Sequence, residues 1–306
     1  MPATSPVYHL LLLVEPALMA SNMLAARWIE GSIPPVALAF WRWVATFAVL
    51  LPMVLPRLAA HRAALAREWK GLAVLGGLAM GLCGAPVYLG GQTTTATNIG
   101  MIYAASPVLI VLMAWAFWGE PVTRRQVAGI ALSLAGVLAI VAKGDPATLL
   151  SLSFVRGDLW ILLAMASWSL YSLLVRYSRT ELPLMVRLQG IVVAGILWNV
   201  PLYGLELALG VHAVFDARTL LIILFLALVP GLISFLVYNR LIAVLGPART
   251  GLTMYLTPVY NAVMAWALLG EEPRFYHLLG AALVLPGIYL ATVKGAKAAE
   301  PAPSRA

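Results

Sequence analysis

Two ionisable side chains stand deep inside apolar sequence. Glu15 lies within HLLLLVEPALMASNM and Arg42 within PPVALAFWRWVATF. A carboxylate and a guanidinium in such surroundings have three uses. They can neutralise each other, they can hold the charged ends of a zwitterionic small molecule, or the carboxylate can carry a proton. An ionisable group at membrane depth costs roughly 2.5–3.5 kcal/mol on insertion scales, so each needs a reason. Each residue stands about eight positions, or ~12 Å, into its own run. If the runs enter an apolar layer about 30 Å thick from opposite sides, the two depths differ by only about 6 Å. The spacing predicts that Glu15 and Arg42 lie close together, either as an ion pair or as the two ends of a binding site.

Amides and phenols at similar depth form the second candidate set: Asn22, Tyr88, Tyr103, Trp168, Tyr171, Tyr238, Asn239, Tyr255, Tyr260 and Asn261, with Gln92 and Asn98 flanking them. Facing lipid, their polar atoms would be unsatisfied, so they are expected to face protein or a wet cavity. Interhelical hydrogen bonding accounts for such residues as readily as substrate contact does. The four histidines, His9, His61, His212 and His277, lie near the ends of apolar runs without metal-ligand spacing. No phosphate-cradling glycine loop, nucleophile–base set or basic face with interleaved aromatics is present. No metal, cofactor or nucleic acid is expected, and the reading is of a protein that is not an enzyme.

The elements that position these residues follow from composition. Of 306 residues 62% are hydrophobic and only 10% charged, where a soluble domain carries about 25% charged residues. The solvent for most of the chain must be lipid. Ten runs are long enough to cross a bilayer, at about 7–28, 34–56, 70–91, 98–118, 125–143, 158–178, 183–205, 218–244, 248–269 and 275–294. The first 26 residues hold no Lys or Arg, so the first run reads as a retained helix and not a signal peptide. The lone cysteine, Cys83, excludes an internal disulfide and reads as core. With the N-terminus in the cytoplasm and Arg42 and Arg187 left out as lying deep in their runs, thirteen basic residues fall inside and five outside, so both termini are expected to be cytoplasmic.

One apolar segment is written twice. Pro107–Glu120 reads PVLIVLMAWAFWGE and Pro258–Glu271 reads PVYNAVMAWALLGE, identical at eight of fourteen positions and 151 residues apart. The echo continues without a gap through Gly129/Gly280 and Gly136/Gly287. A fainter one, at an offset of 149, pairs Arg27 with Arg176, Pro34 with Pro183, and Asn22 with Tyr171. Two copies of five helices place the second copy upside down in the membrane, an arrangement common in alternating-access carriers. The charges agree: Arg124 and Arg125 in copy one are replaced by Phe275 and Tyr276 in copy two, as expected if the two links face opposite sides. Tyr260 and Asn261 replace the aliphatic Leu109 and Ile110, which favours them for substrate contact. Pro107 and Pro258, matched in the echo, are the expected hinges. Glu120 and Glu271 fall at helix ends, as solvated boundary residues or as a gate. Gly77 and Gly81, at GxxxG spacing, allow a close helix neighbour.

The run YAASPVLIVLMAWAFWGEPVTRRQVAGIALSLAGVLAI, together with ALMASNMLAARW and PPVALAFWRW, resembles the EamA-type drug/metabolite transporters, with YddG-like amino-acid exporters nearest in size and character. The family pattern has Trp at the position of Met19, and copy two keeps it as Trp168. The resemblance implies ten helices with a central cavity lined by helices 1–4 and 6–9, and it matches Arg42 but not Glu15. The expectation is therefore an all-α membrane protein of ten transmembrane helices in two inverted five-helix repeats, residues 1–145 and 146–296, with a disordered tail at 297–306. Its expected activity is export of small metabolites, amino acids above all, across a bacterial inner membrane, as a monomer. Efflux of lipophilic cationic drugs and a membrane-embedded enzyme are the competing readings.

Overall fold

The computed structural model describes residues 6–28, 33–94, 99, 102–145, 147, 155–269 and 274–292. The helices are α1 (Pro6–Trp28), α2 (Pro35–Gly76), α3 (Ala85–Gly91), α4 (Ser106–Trp118), α5 (Arg124–Val141), α6 (Arg156–Tyr177), α7 (Leu184–Ala208), α8 (Ala217–Leu226), α9 (Ser234–Leu245), α10 (Pro247–Leu252), α11 (Thr257–Leu269) and α12 (Phe275–Thr292). No strand occurs among the described residues. Six described helical stretches are long and apolar enough to cross a membrane. Asn98, Glu271 and the 297–306 tail lie outside the described residues, as does the side chain of Arg27.

The helix ends follow local chemistry. Thr123 Oγ1 accepts from Gln126 N–H at the start of α5, and Asp216 Oδ1 from Thr219 N–H at 2.7 Å at the start of α8. That backbone bond holds the exposed Asp216 carboxyl below its usual range. Asp158 Oδ2 accepts Val155 N–H at 2.8 Å and its other oxygen accepts Thr94 Oγ1, which ties α6 to the end of α3. Gly119, at φ 66°, ends α4 in the left-handed region that favours glycine.

The chain between the second and third apolar runs differs from a simple loop. The helical path is continuous for 42 residues, Pro35 to Gly76, yet it cannot be straight. Val36 N–H donates to Glu206 Oε1 at 3.0 Å, and Asn199 Nδ2 donates to Met80 O at 2.9 Å. Residues 199 and 206 are about 10 Å apart on α7, whereas a straight helix would separate Val36 from Met80 by about 66 Å. The path doubles back, and both limbs pack on α7. Burial stops at Val54 and resumes at Leu72. The reversal therefore occupies the exposed, arginine-rich stretch after Pro52 and Pro56, the two residues that cannot complete the helical ladder.

Glu206 closes this arrangement. Its two oxygens accept Val36 N–H at 3.0 Å and Ala37 N–H at 2.7 Å, capping the start of α2, where Pro34 offers no side-chain cap. Glu206→Ala is expected to cost about 1–2 kcal/mol, the usual cost of a lost N-cap, read as a lower melting temperature of the purified protein.

Two pairings recur at matched positions. Short π-helical stretches span Gly77–Leu82 and Ala227–Ile233, and GLCGAPVY at residue 81 answers GLISFLVY at residue 231, an offset of 150. Helices α5 and α12 pack on each other along a glycine seam. A Cβ on Gly129 would stand 2.5 Å from Gly287 O, and one on Gly136 2.7 Å from Gly280 O. The converse approaches, Gly287 to Gly129 O and Gly280 to Gly136 O, are both 2.8 Å. The GxxxG pair of the third run is used within the chain: Gly77 and Gly81 seat the Trp198 indole of α7, whose Nε1 donates to Ala73 O at 3.1 Å.

Candidate functional site

Helix α1 carries Glu15 and Asn22 two turns apart, hence on one face and about 10 Å from each other. Arg42 reaches Asn22 from α2. Its Nη1 donates to Asn22 Oδ1 at 2.9 Å and to Tyr88 OH of α3 at 2.9 Å, and Tyr88 OH donates to Asn22 Oδ1 at 3.3 Å. The guanidinium carbon lies 4.4 Å from the Trp43 ring centroid, an attractive cation–π placement. Arg42 is 6% exposed, and its Nε has no hydrogen-bond partner. Among the described residues, no carboxylate lies within ion-pair distance of it.

Glu15 is fully buried. Oε1 accepts Ser234 Oγ of α9 at 3.2 Å, and Oε2 has no partner. The expected Glu15–Arg42 pair does not form here. Depth compares one coordinate only, and Arg42 engages α1 two turns beyond Glu15.

Between these groups lies an aromatic cluster. Trp168 of α6 is 4.9 Å from Tyr238 and 5.6 Å from Phe235, and Phe235 is 5.2 Å from Trp43. Tyr171 OH donates to Asn239 Oδ1 at 2.9 Å, and Tyr238 OH pairs with Ser172 Oγ at 2.7 Å. Trp43, Tyr171 and Tyr238 have no exposed surface. Trp43, Ser172, Ser234 and Phe235 were not singled out from sequence. Trp43 directly follows Arg42, and Tyr238 answers Tyr88 at the 150 offset, a signal that was available.

Other candidates fall elsewhere. Tyr103 OH is 4.0 Å from Cys83 Sγ. Tyr255 is buried and its OH has no partner. Half-buried Tyr260 packs against the cluster of Leu252, Tyr255 and Val284, and Asn261 is half-buried beside it on α11. Pro107 and Pro258 are each the second residue of a helix, α4 and α11, following a break in the run. Glu120 accepts from Tyr177 OH, and Trp118 stacks on Tyr177 at 4.5 Å, joining the ends of α4 and α6. Among the described residues no cluster of His, Cys, Asp or Glu could hold a metal ion. An apolar groove of about 420 Å³ between α2 and α8, lined by Trp41, Ala45, Phe215 and Ile223, involves none of the polar network.

A multi-pass helical membrane protein with buried, mutually bonded polar groups at its centre has the architecture of a membrane transporter. The chain belongs to the EamA-like transporter family, whose profile matches residues 7–142 and again 155–293. An uncharacterized transporter of Archaeoglobus fulgidus is 25% identical over 94% of this chain and 97% of its own. A probable terminal-alkyne amino-acid exporter of Streptantibioticus cattleyicolor is 28% identical over 74% of this chain and 73% of its own. A probable amino-acid metabolite efflux pump of Escherichia coli is 26% identical over 64% and 69%. A solved crystal structure superposes with a TM-score of 0.73 over 92% of this chain and 95% of that one, at 22% identity.

Proposed function

We propose that the protein exports small metabolites, amino acids foremost, by alternating access across a bacterial inner membrane. The observation that carries this reading is Arg42. A buried guanidinium held only by neutral partners, with its Nε–H unbonded, is a ready seat for a carboxylate. The aromatic rings of Trp43, Trp168, Tyr171, Phe235 and Tyr238 flank the network, and they suit neutral and aromatic side chains. The amino-acid exporter and efflux-pump names of two relatives point the same way.

The frame in this reading is ten spans in two inverted repeats, residues 1–145 and 146–296, with both termini cytoplasmic. Three observations support it. The family profile matches twice. The π-helical stretches recur at an offset of 150. In the glycine seam, Gly129 meets Gly287 while Gly136 meets Gly280. Since Gly129 answers Gly280 and Gly136 answers Gly287, residue i of one copy meets j of the other and j meets i, as a twofold axis requires. Pro107 and Pro258 stand at matched helix breaks and are the proposed hinges.

The test is counterflow in liposomes holding only the purified protein. Labelled L-phenylalanine should exchange without ATP, and a panel of unlabelled amino acids should compete. A protein that instead moves only ethidium-like cations, and loses this in Glu15→Gln, is a drug pump.

A further inference from the structure

Glu15 is not needed to hold a carboxylate, and at about 10 Å along α1 from Asn22 it is too far from Arg42 for both to grip one α-amino acid's adjacent ammonium and carboxylate. Its surroundings set its form. Helix α1 is packed by α8, the π-helical stretch after it, α9, the 3₁₀ turn Thr253–Leu256 and α11. The titratable or charged groups on these are Arg218, Tyr238, Arg240, Tyr255 and Tyr260. Arg240 donates to Tyr8 OH at 3.2 Å, seven residues before Glu15, and Arg42 binds Asn22, seven after it. Neither reaches the carboxyl, and among the described residues no cation lies within 4 Å of it. Among the described residues one neutral hydroxyl, Ser234, is its hydrogen-bonding partner. A bare carboxylate so placed would cost several kcal/mol, whereas a neutral acid with one unsatisfied O–H costs about 1–3 kcal/mol. The closed arrangement therefore supplies none of the cationic partners that a buried carboxylate needs.

We propose that Glu15 is a proton-binding site that couples closure of the central network to proton movement. The proposal rests on the export reading above. With the network open to the outside, an Oε2 lone pair takes a proton from water and an O–H bond forms. The neutral carboxyl is then buried as the aromatic cluster closes. With the network open to the cytoplasm, the O–H bond breaks and the proton returns to water. One proton enters for each such return, and no electrons change hands.

Two measurements test this. In wild-type protein without any substrate, dicyclohexylcarbodiimide, which attacks buried protonated carboxyls, should label Glu15 in acidic buffer. Labelling read by mass spectrometry should fall at least about tenfold in alkaline buffer if Glu15 is a titrating proton site. Absence of labelling at every pH overturns the proposal. In liposomes, an imposed pH gradient should drive L-phenylalanine accumulation, with a pyranine signal reporting the opposing proton flux. Glu15→Gln should lower the ratio of gradient-driven to exchange rate by about tenfold or more. Wild-type exchange of L-phenylalanine that ignores the gradient also overturns it. If wild-type protein moves no amino acid at all, the export reading falls, and the substrate-free labelling still decides the role of Glu15.

Discussion

Arg42→Met should abolish the protein's preference for an amino acid over its amide. In wild-type liposomes, L-phenylalanine should compete with labelled substrate far better than L-phenylalaninamide, because only the acid brings a carboxylate to the guanidinium. Truncating one partner of a buried charge-assisted pair costs about 2–5 kcal/mol, which is roughly 30-fold to several-thousand-fold in affinity. The methionine fills similar space against Trp43 while removing the charge and the donors to Asn22 and Tyr88. Arg42→Lys should fall between the two, since an ammonium keeps the charge but cannot hold Asn22 and Tyr88 and still offer a planar fork. Equal competition by acid and amide in the wild type would place the carboxylate elsewhere and leave Arg42 as a brace between α1, α2 and α3.

The all-helical, membrane-spanning character of the chain was legible because lipid is an unforgiving solvent. It demands apolar runs of about 20 residues, and the described helix ends fall within a few residues of those runs, except between the second and third and at the start of the fourth, where α4 begins at Ser106. There the link HRAALAREW is built of strong helix formers without a breaker, so the helix persists through the reversal. The polar network was legible as a set of residues but not as a set of pairs. Depth placed Glu15 near Arg42, but the structure gives Glu15 to Ser234 and Arg42 to Asn22, because depth says nothing of which faces of two helices meet. Glu206 was invisible for a related reason: it caps backbone amides 169 and 170 residues away, and no local pattern announces such a partner. The match of Tyr88 with Tyr238 was in the sequence all along, but the offset drifts from 149 through 150 to 151 along the chain. A search at one fixed offset passes over it.

Gly129→Ala should destabilise the protein strongly, and the seam explains why. The added Cβ would stand 2.5 Å from Gly287 O and 2.7 Å from Ala291 N. Both are backbone atoms of α12, so no rotamer change can relieve the overlap and the helices must separate. Overpacking of this kind costs about 1–3 kcal/mol or more. At the matched position, a Cβ on Gly280 first meets Ile140 Cγ1 at 2.2 Å and Cδ1 at 2.6 Å. That side chain can turn away, which leaves the milder 2.8 Å approach to Gly136 O, so Gly280→Ala should cost less, and pairing it with Ile140→Ala should recover part of the loss. Gly71 supplies the control: nothing lies within 4 Å of its Cβ position, within α2, and Gly71→Ala should be neutral or stabilising by up to about 1 kcal/mol through helix propensity alone. Melting of the four variants in detergent, each compared with wild type, gives the ranking. If Gly129→Ala melts no lower than Gly71→Ala, α5 and α12 do not meet backbone to backbone. The reciprocal contacts on which the twofold reading leans would then be lost with them.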